Sequence, residues 1–267
     1  MLHTVVINGN SFNMSEMLQR SREWFLARKG IMSASEIYLL LNNHKEEVPL
    51  TDEEKEQFRA EHPRAKIPDT KKIEAPFSDG TFTWLNHKIA EYYMPDEAFL
   101  EYNELRQVNN RAVQHGEFWE EDARNRYALE MGYEVYEVGF IPLKGFEQFA
   151  GGSPDGMIRE EKGLIEIKCA FNPEVHQDYL LFEKPEDLKE YNLQYYVQMQ
   201  MNMIVTDCAF CDFVAFDPRT SVSKQLKVLR IPKDEEMCNL LLERIALAKE
   251  YYKERMSKLD NIKNIIK

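Results

Sequence analysis

Residues 151–169 constrain the fold more than any other stretch of this chain. Gly151-Gly152-Ser153-Pro154-Asp155-Gly156-Met157-Ile158 precedes the turn-forming Glu160-Glu161-Lys162-Gly163, and Leu164-Ile165-Glu166-Ile167-Lys168-Cys169 follows it. This reads as two strands joined by a tight turn. Side chains alternate across a strand, so Glu166 and Lys168 share one face while Ile165, Ile167 and Cys169 share the other. Pairing through the turn brings Asp155, at the start of the first strand, beside Glu166 and Lys168. Two carboxylates and an amine then converge on one face of a hairpin.

That set suits hydrolysis of a phosphodiester. Carboxylate oxygens hold hard cations such as Mg²⁺, which activate water and neutralise charge on a scissile phosphate. The lysine supplies a proton acceptor or a cation for the same phosphate. Taken alone, the residues also describe a surface hairpin with an i,i+2 ion pair.

The rest of the chain limits what surrounds this hairpin. Its 267 residues, 43% of them hydrophobic and 30% charged, allow one large α/β domain or two small ones and exclude disorder and fibrous repeats. No apolar run is long enough to span a membrane, and Met1-Leu2-His3-Thr4 does not open a signal peptide, so the chain reads as cytoplasmic. The four cysteines, at 169, 208, 211 and 238, are too few for a disulfide scaffold, and Cys208-Ala-Phe-Cys211-Asp-Phe reads as buried strand, not as a metal site. A net charge of −12 excludes a global positive field for nucleic acid but leaves room for a local basic groove and for a bound divalent cation.

Apolar periodicity and breakers predict helix, loop, helix over residues 15–41, with serines capping the run Ile37-Tyr38-Leu39-Leu40-Leu41. A charged insertion at about 42–80 is punctuated by Pro49, Pro63, Pro68 and Pro76 and holds one helix from Thr51 to Glu61. Helices follow over Thr81–Tyr93 and Asn109–Met131, the second stopped by Gly132. A strand is expected over Tyr133–Ile141, a helix at about 187–205, strands at about 207–216 and 222–231, and a C-terminal helix from about 233. This order predicts an α/β fold with a central mixed β-sheet flanked by helices, in one domain over 1–267.

Two helices add candidates. In Gln114-His115-Gly116-Glu117-Phe118-Trp119-Glu120-Glu121-Asp122-Ala123-Arg124, Glu120 is flanked one turn away on each side by the small residues Gly116 and Ala123, which allow close approach, while Trp119 and Tyr127 turn to the core. Glu120 alone also reads as one of several solvated acids. Gln194 and Gln198 share a face of the later helix.

Six segments in this order resemble a known family: Trp24-Phe25-Leu26-Ala27-Arg28-Lys29-Gly30-Ile31-Met32-Ser33-Ala34-Ser35-Glu36; Gly116-x-x-x-Glu120-x-x-Ala123-Arg124; Ser153-Pro154-Asp155-Gly156; Glu166-x-Lys168-Cys169; Tyr195-Tyr196-Val197-Gln198-Met199-Gln200; and Asp217-Pro218-Arg219. Together they are similar to the lambda-exonuclease-like, YqaJ-like viral recombinase group of the PD-(D/E)xK nuclease superfamily. Ser33 stands where that pattern usually has threonine, and the insertion at about 42–80 and the N-terminal stretch have no counterpart in it.

The resemblance implies a restriction-endonuclease-like core and a Mg²⁺-dependent enzyme, with Mn²⁺ as a substitute. Such an enzyme digests double-stranded DNA from its ends, 5′ to 3′, and leaves a 3′ single strand for recombination. Asp155 and Glu166 would hold the metal with help from Glu120 and the Ile167 carbonyl, Lys168 would orient or activate the attacking water, and Gln198 would stand beside them. Arg28 and Ser35 would form a pocket for the 5′ phosphate, although Ser35 also reads as a plain helix cap. The implied partners are DNA ends, a single-strand annealing protein and two further copies of the chain in a homotrimeric ring. The rivals are another nuclease of the superfamily, such as a Cas4-like or restriction-type enzyme, and a non-catalytic DNA-end-binding protein.

Overall fold

The computed structural model describes residues 4–7, 10–13, 18–42, 44–107, 111–159 and 161–262. Strands β1 (Thr4–Ile7) and β2 (Asn10–Asn13) pair antiparallel at its start. Helix α1 (Arg22–Ala27) begins at Ser21, whose hydroxyl accepts the Trp24 N–H, and β3 (Met32–Ser33) follows. The second helix expected here is a 3₁₀ segment over Ile37–Leu41, with Glu36 at its N-cap and no side-chain cap bond. Ile37 and Leu40, three apart, are both fully buried, which matches three residues per turn. Ser35 therefore caps nothing, contrary to one of its two readings.

The polar insertion is more ordered than its composition suggests. Strands β4 (His44–Pro49) and β5 (Thr70–Ala75) form an antiparallel hairpin that carries helix α2 (Asp52–Glu61) between them. The helix is the expected one, closed by a capping box in which Thr51 and Glu54 satisfy each other's backbone N–H groups. The strands go beyond the expectation because charged residues hide their alternation. Glu47 and Lys72 lie directly opposite each other, and their charged groups come within 3.8 Å.

Helix α3 (Asp79–Tyr93) starts at a Ser78 cap, two residues before the expected position, and α4 (Asp96–Gln107) is a helix that the periodicity did not separate. Helix α5 (Arg111–Met131) stops at Gly132, whose φ of +68° needs no Cβ to be accommodated. The single strand expected over 133–141 is two short ones in different sheets, β6 (Val135–Tyr136) and β7 (Ile141–Pro142). Strand β8 (Ala150–Gly152) lies between β7 and β3.

The hairpin of β9 (Gly156–Ile158) and β10 (Gly163–Lys168) forms as expected, with Ile165 opposite Gly156. Helix α6 (Pro173–Leu180) follows. The helix expected at about 187–205 is broken into α7 (Pro185–Tyr191) and α8 (Leu193–Thr206). Asn192 leaves helical geometry at the break and caps α8 by accepting the Tyr195 N–H. Strands β11 (Phe210–Phe216) and β12 (Leu226–Pro232) and helix α9 (Glu235–Asp260) complete the chain.

Five of these strands form the main sheet in the order β12-β11-β10-β9-β6; β10 and β11 run parallel and the other neighbours antiparallel. This is the expected mixed sheet flanked by helices. On one face Ile165, Ile167 and Val214 pack against Ala123 and Tyr127 of α5. On the other, Leu164, Phe213 and Ala215 pack into a core that includes Val197 and Met199 of α8. The buried Asp212 of β11 ties α5 to the first face, accepting the Tyr127 hydroxyl at 2.7 Å and the Arg230 guanidinium at 2.8 and 2.9 Å. All four cysteines are buried free thiols, and among the described residues no helix is long and apolar enough to cross a membrane.

Truncating Ile165, fully buried between sheet and α5, tests this packing. The Ile165→Ala protein should lose about 2–5 kcal/mol of unfolding free energy in urea titrations. A loss well under that range would mean that α5 does not close on the sheet at this point.

Candidate active site

Because Ile165 pairs with Gly156, Asp155 comes level with Glu166 one step further along the hairpin. The contact is direct: the Ile167 N–H donates to Asp155 Oδ2 at 2.7 Å. Glu166 is 1% exposed; its Oε1 accepts from Lys168 Nζ at 2.7 Å and its Oε2 from Asn202 Nδ2 at 3.2 Å. Lys168 also reaches Gln198 Oε1 at 3.5 Å and lies 4.4 Å from the centre of the Tyr195 ring. From α5, Glu120 points to the same place. Its Oε1 accepts from Arg124 Nη2 at 2.7 Å and its Oε2 from Arg20. Arg124 also donates through Nε to the Asp155 carbonyl at 3.0 Å, which links helix and hairpin.

Burial dominates the electrostatics. It pushes the Asp155 carboxyl well above its ordinary range, and the neighbouring Glu166 and Glu120 push in the same direction. Glu166 is raised by burial and partly held down by Lys168. Burial alone would lower the Lys168 ammonium, but Glu166 and Asp155 raise it above its usual value. Lys168 is therefore a cation here, not a free base. The Cys169 thiol beside them is pushed up to about 12 by burial and stays neutral.

Asp155, Glu166, Lys168, Glu120, Gln198 and the Ile167 backbone line one cavity of about 450 Å³, together with Ser35 and Arg20. Among the described residues no three His, Cys, Asp or Glu side chains form a ready cage for a metal. The reason is visible at Glu120, whose carboxylate is taken up by two arginines. The donor chemistry nonetheless fits a Mg²⁺-type ion, which binds through one or two carboxylates and keeps several waters. Asp155 and Glu166 would supply those oxygens, in a pocket where their mutual repulsion favours a divalent cation.

A second cavity of about 160 Å³ adjoins the first and contains Arg28, Ser35, Ser33 and Ser153. Arg28 stacks 4.0 Å from the centre of the Trp24 ring, and burial lowers its pKa to about 10, with Glu36 and Glu91 acting the other way. Among the described residues its guanidinium makes no hydrogen bond or ion pair. A guanidinium with no hydrogen bond or ion pair, beside the Ser35 hydroxyl, is an anion-binding arrangement, whereas the Ser33 hydroxyl donates to Glu36 Oε2 at 2.9 Å and that of Ser153 to the Gly139 carbonyl at 3.1 Å. Arg20, Ser35, Glu117, Asp155 and Gln198 line both cavities, so the two are continuous.

All eight positions singled out from the sequence thus lie on this connected pair of cavities. At Gly116, expected to let another backbone or a metal come close, a Cβ would meet open space, so no other backbone approaches there. Four residues went unassigned. Asn202 continues the Gln194–Gln198 face by one more helical turn, a signal present in the sequence. Gln194 donates to the Ser35 carbonyl at 3.1 Å, so this polar stripe of α8 touches Ser35, Lys168 and Glu166 in turn. Gly152 makes room for it, since a Cβ there would come within 2.4 Å of Asn202 Oδ1. Ser153, which accepts the Trp24 indole N–H at 2.8 Å, lies inside the quoted Ser153-Pro154-Asp155-Gly156 segment. Arg124 sits one turn after Glu120, whereas nothing in the sequence marked Arg20.

A mixed sheet whose hairpin presents Asp155, Glu166 and Lys168 towards a cavity, with a glutamate from the preceding helix, defines a nuclease of the PD-(D/E)xK type. The chain belongs to the YqaJ-like viral recombinase domain family, whose sequence pattern matches residues 23–209. The structure resembles that of an alkaline exonuclease, LHK-Exo, from Laribacter hongkongensis, with 25% identity and a TM-score of 0.62 over 90% of this chain and 96% of that one. The same enzyme in complex with dAMP matches at 25% identity and a TM-score of 0.61, with the same coverage of both chains. A phage related exonuclease from Haemophilus somnus 129PT shares the fold at 17% identity and a TM-score of 0.52, over 86% of this chain and 96% of that one. No curated protein sequence matches the chain.

The raised carboxyls of Asp155 and Glu166 have a consequence for stability. Between the ordinary carboxylate range and their raised values, the folded protein binds more protons than the unfolded chain, so this pair lowers stability as pH rises through that window. Asp155→Asn keeps an oxygen for the Ile167 N–H and removes one charge. Without divalent ions at neutral pH, Asp155→Asn should melt above the wild type by circular dichroism, and the difference should shrink as pH falls towards 4, the unperturbed carboxylate range. A lower melting temperature would contradict the electrostatic reading.

Proposed function

We propose that this nuclease is a Mg²⁺-dependent exodeoxyribonuclease that digests double-stranded DNA from its ends, 5′ to 3′, and leaves 3′ single strands for recombination. The observation that carries this reading is the continuity of the two cavities. An anion pocket with an unpaired guanidinium opens directly onto the carboxylate centre through Ser35, Asp155 and Gln198. A strand whose 5′ phosphate occupies the first presents its following phosphodiester to the second. The dAMP complex of LHK-Exo supports this, since dAMP is a 5′-mononucleotide, the product such a geometry would release.

In this reading Arg28 grips the terminal phosphate, and Ser35 adds a hydroxyl donor. Asp155 and Glu166, with the Ile167 carbonyl and Glu120, would hold the metal, which would activate water and neutralise charge on the phosphate. Mn²⁺ has the same preference for oxygen and would replace Mg²⁺. Lys168, kept protonated by Glu166, donates to the water or to a phosphate oxygen. Gln198 keeps the ammonium in line from α8. The compartment that fits is the cytoplasm of a bacterial or phage-infected cell.

The test compares linear and circular duplex with and without Mg²⁺. Asp155→Ala, Glu166→Ala and Lys168→Ala should each lose activity on the order of 10³-fold or more, corresponding to several kcal/mol of transition-state stabilisation. Retained activity in Glu166→Ala would sink the assignment, and a wild type inert on every substrate would favour a non-catalytic end-binding protein. Linear duplex with 5′ phosphates should be digested faster than dephosphorylated duplex, and Arg28→Ala should erase that difference. Equal rates with the wild type would remove the phosphate pocket.

The family also motivates a homotrimeric ring that hands its 3′ strand to a single-strand annealing protein. A ring reconciles a charge of −12 with a polyanionic substrate, because cyclic symmetry can gather scarce cations into a central channel. Light scattering at the monomer mass of 31.6 kDa would eliminate the ring.

A further inference from the structure

Arg20 occupies a backbone position that favours glycine. It is the third residue of the turn closed by the Ser21 N–H to the Leu18 carbonyl at 3.1 Å, and its φ is +64°, in the left-handed region where a Cβ is unfavourable. The turn is fixed from its other side. Gln19 accepts nothing from Arg20 but anchors the loop: its N–H donates to Glu137 Oε1 at 3.1 Å and its amide to the carbonyls of Val138 and Pro154 at 3.1 and 2.9 Å. The backbone is thus held in a strained conformation that projects one long cationic side chain over the junction of the two cavities.

That side chain is placed on the wrong partner for catalysis. Arg20 Nε lies 3.2 Å from Glu117 Oε1, and its Nη2 is bonded to Glu120 Oε2. Glu120 does not need it for neutralisation, because Arg124, only 13% exposed and anchored on the Asp155 carbonyl, already pairs with the other oxygen. Arg20 is 39% exposed and can swing while its turn stays in place.

We propose that Arg20 is a resident cation that holds Glu117 and Glu120 in the metal-free site and transfers to the phosphodiester backbone of the DNA when a divalent ion takes Glu120. The proposal rests on the reading of Glu120 as a metal-facing ligand. An incoming dication repels the guanidinium and competes with it for the same oxygen. Glu117 keeps its 3.2 Å contact with Arg20 Nε, while the freed end of the guanidinium faces the strand running from the phosphate pocket to the carboxylates, and a planar guanidinium grips a phosphate through two parallel hydrogen bonds. Arg20 would contact substrate at the internucleotide link, between the terminal phosphate held by Arg28 and the water oriented by Lys168.

The experiment uses the full chain and four proteins: wild type, Arg20→Gly, Glu120→Gln and Asp155→Ala. Glycine suits the turn, so Arg20→Gly should melt no lower than the wild type. Mg²⁺ is titrated calorimetrically without DNA, and binding of a 5′-phosphorylated duplex is measured in Ca²⁺, a hard cation bound through oxygen. Arg20→Gly should bind Mg²⁺ about tenfold more tightly and the duplex about tenfold more weakly, each a change of about 1.4 kcal/mol. Glu120→Gln should weaken Mg²⁺ binding. Unchanged Mg²⁺ affinity in Arg20→Gly overturns the competition, and unchanged duplex affinity overturns the transfer to DNA. If Glu120→Gln leaves Mg²⁺ affinity intact while Asp155→Ala abolishes it, the ligand role of Glu120 fails on its own, and the proposal with it.

Discussion

The structure depends on one pairing, that of β9 with β10, which lets the Ile167 N–H hold Asp155 Oδ2 at 2.7 Å. This places a second carboxylate level with Glu166 in the interior of a protein, where like charges are not screened by water. Everything around the hairpin offsets that repulsion. Lys168 pairs with Glu166 from the same strand, Asn202 donates from α8, and Arg124 reaches across from α5 to hold both Glu120 and the Asp155 carbonyl. The raised carboxyls of Asp155 and Glu166 show that the offset is incomplete, a tension usual where titratable groups are grouped for chemistry.

The sheet supplies rigidity for this arrangement through its two unequal faces. Ile165 and Ile167 seal against α5 while Leu164 buries towards α8, so β10 is clamped on both sides and its polar side chains have one direction left to take. Helix α8 carries a polar stripe of Gln194, Gln198 and Asn202, and each of those three amides touches a different part of the site. The missing Cβ of Gly152 is what lets the last of them approach. Two elements remote in sequence are thereby fixed to each other by polar contacts inside an apolar interface, where an unsatisfied partner would be costly.

The cavity around Arg28 follows a different principle. Its cation, Arg28, stacks on Trp24 and makes no hydrogen bond or ion pair among the described residues, while Glu36 and Glu91 act on it from beyond ion-pair distance. In the carboxylate centre, by contrast, Glu120, Glu166 and Lys168 are ion-paired, and Asp155 is held by the Ile167 N–H. One cavity thus holds a cation with no ion pair, and the other holds carboxylates that repel one another.

Much of this was legible in the residues themselves. The order of elements, the β9–β10 hairpin and the convergence of Asp155, Glu166 and Lys168 follow from alternation, turn chemistry and strand geometry, which are local properties. So do the capping box of α2 and the end of α5 at Gly132. The resemblance to nuclease motifs added Glu120, Arg28, Ser35 and Gln198, whose spacing alone reads equally well as solvated surface. Other features were decided only by tertiary structure. The charged strands β4 and β5 are held by backbone pairing, which their side chains do not announce, and α7 and α8 part at an asparagine whose helix cap forms only in place. The Ser35 hydroxyl caps no helix because the following five residues are too few to wind an α-helix and settle into a 3₁₀ turn against the core. Arg20 and Arg124 became part of the site because a turn and a helix far apart in the chain fold onto one carboxylate. Local patterns encode which face a side chain takes, but long-range contacts set which charges meet, and in a buried site that meeting determines protonation and chemistry.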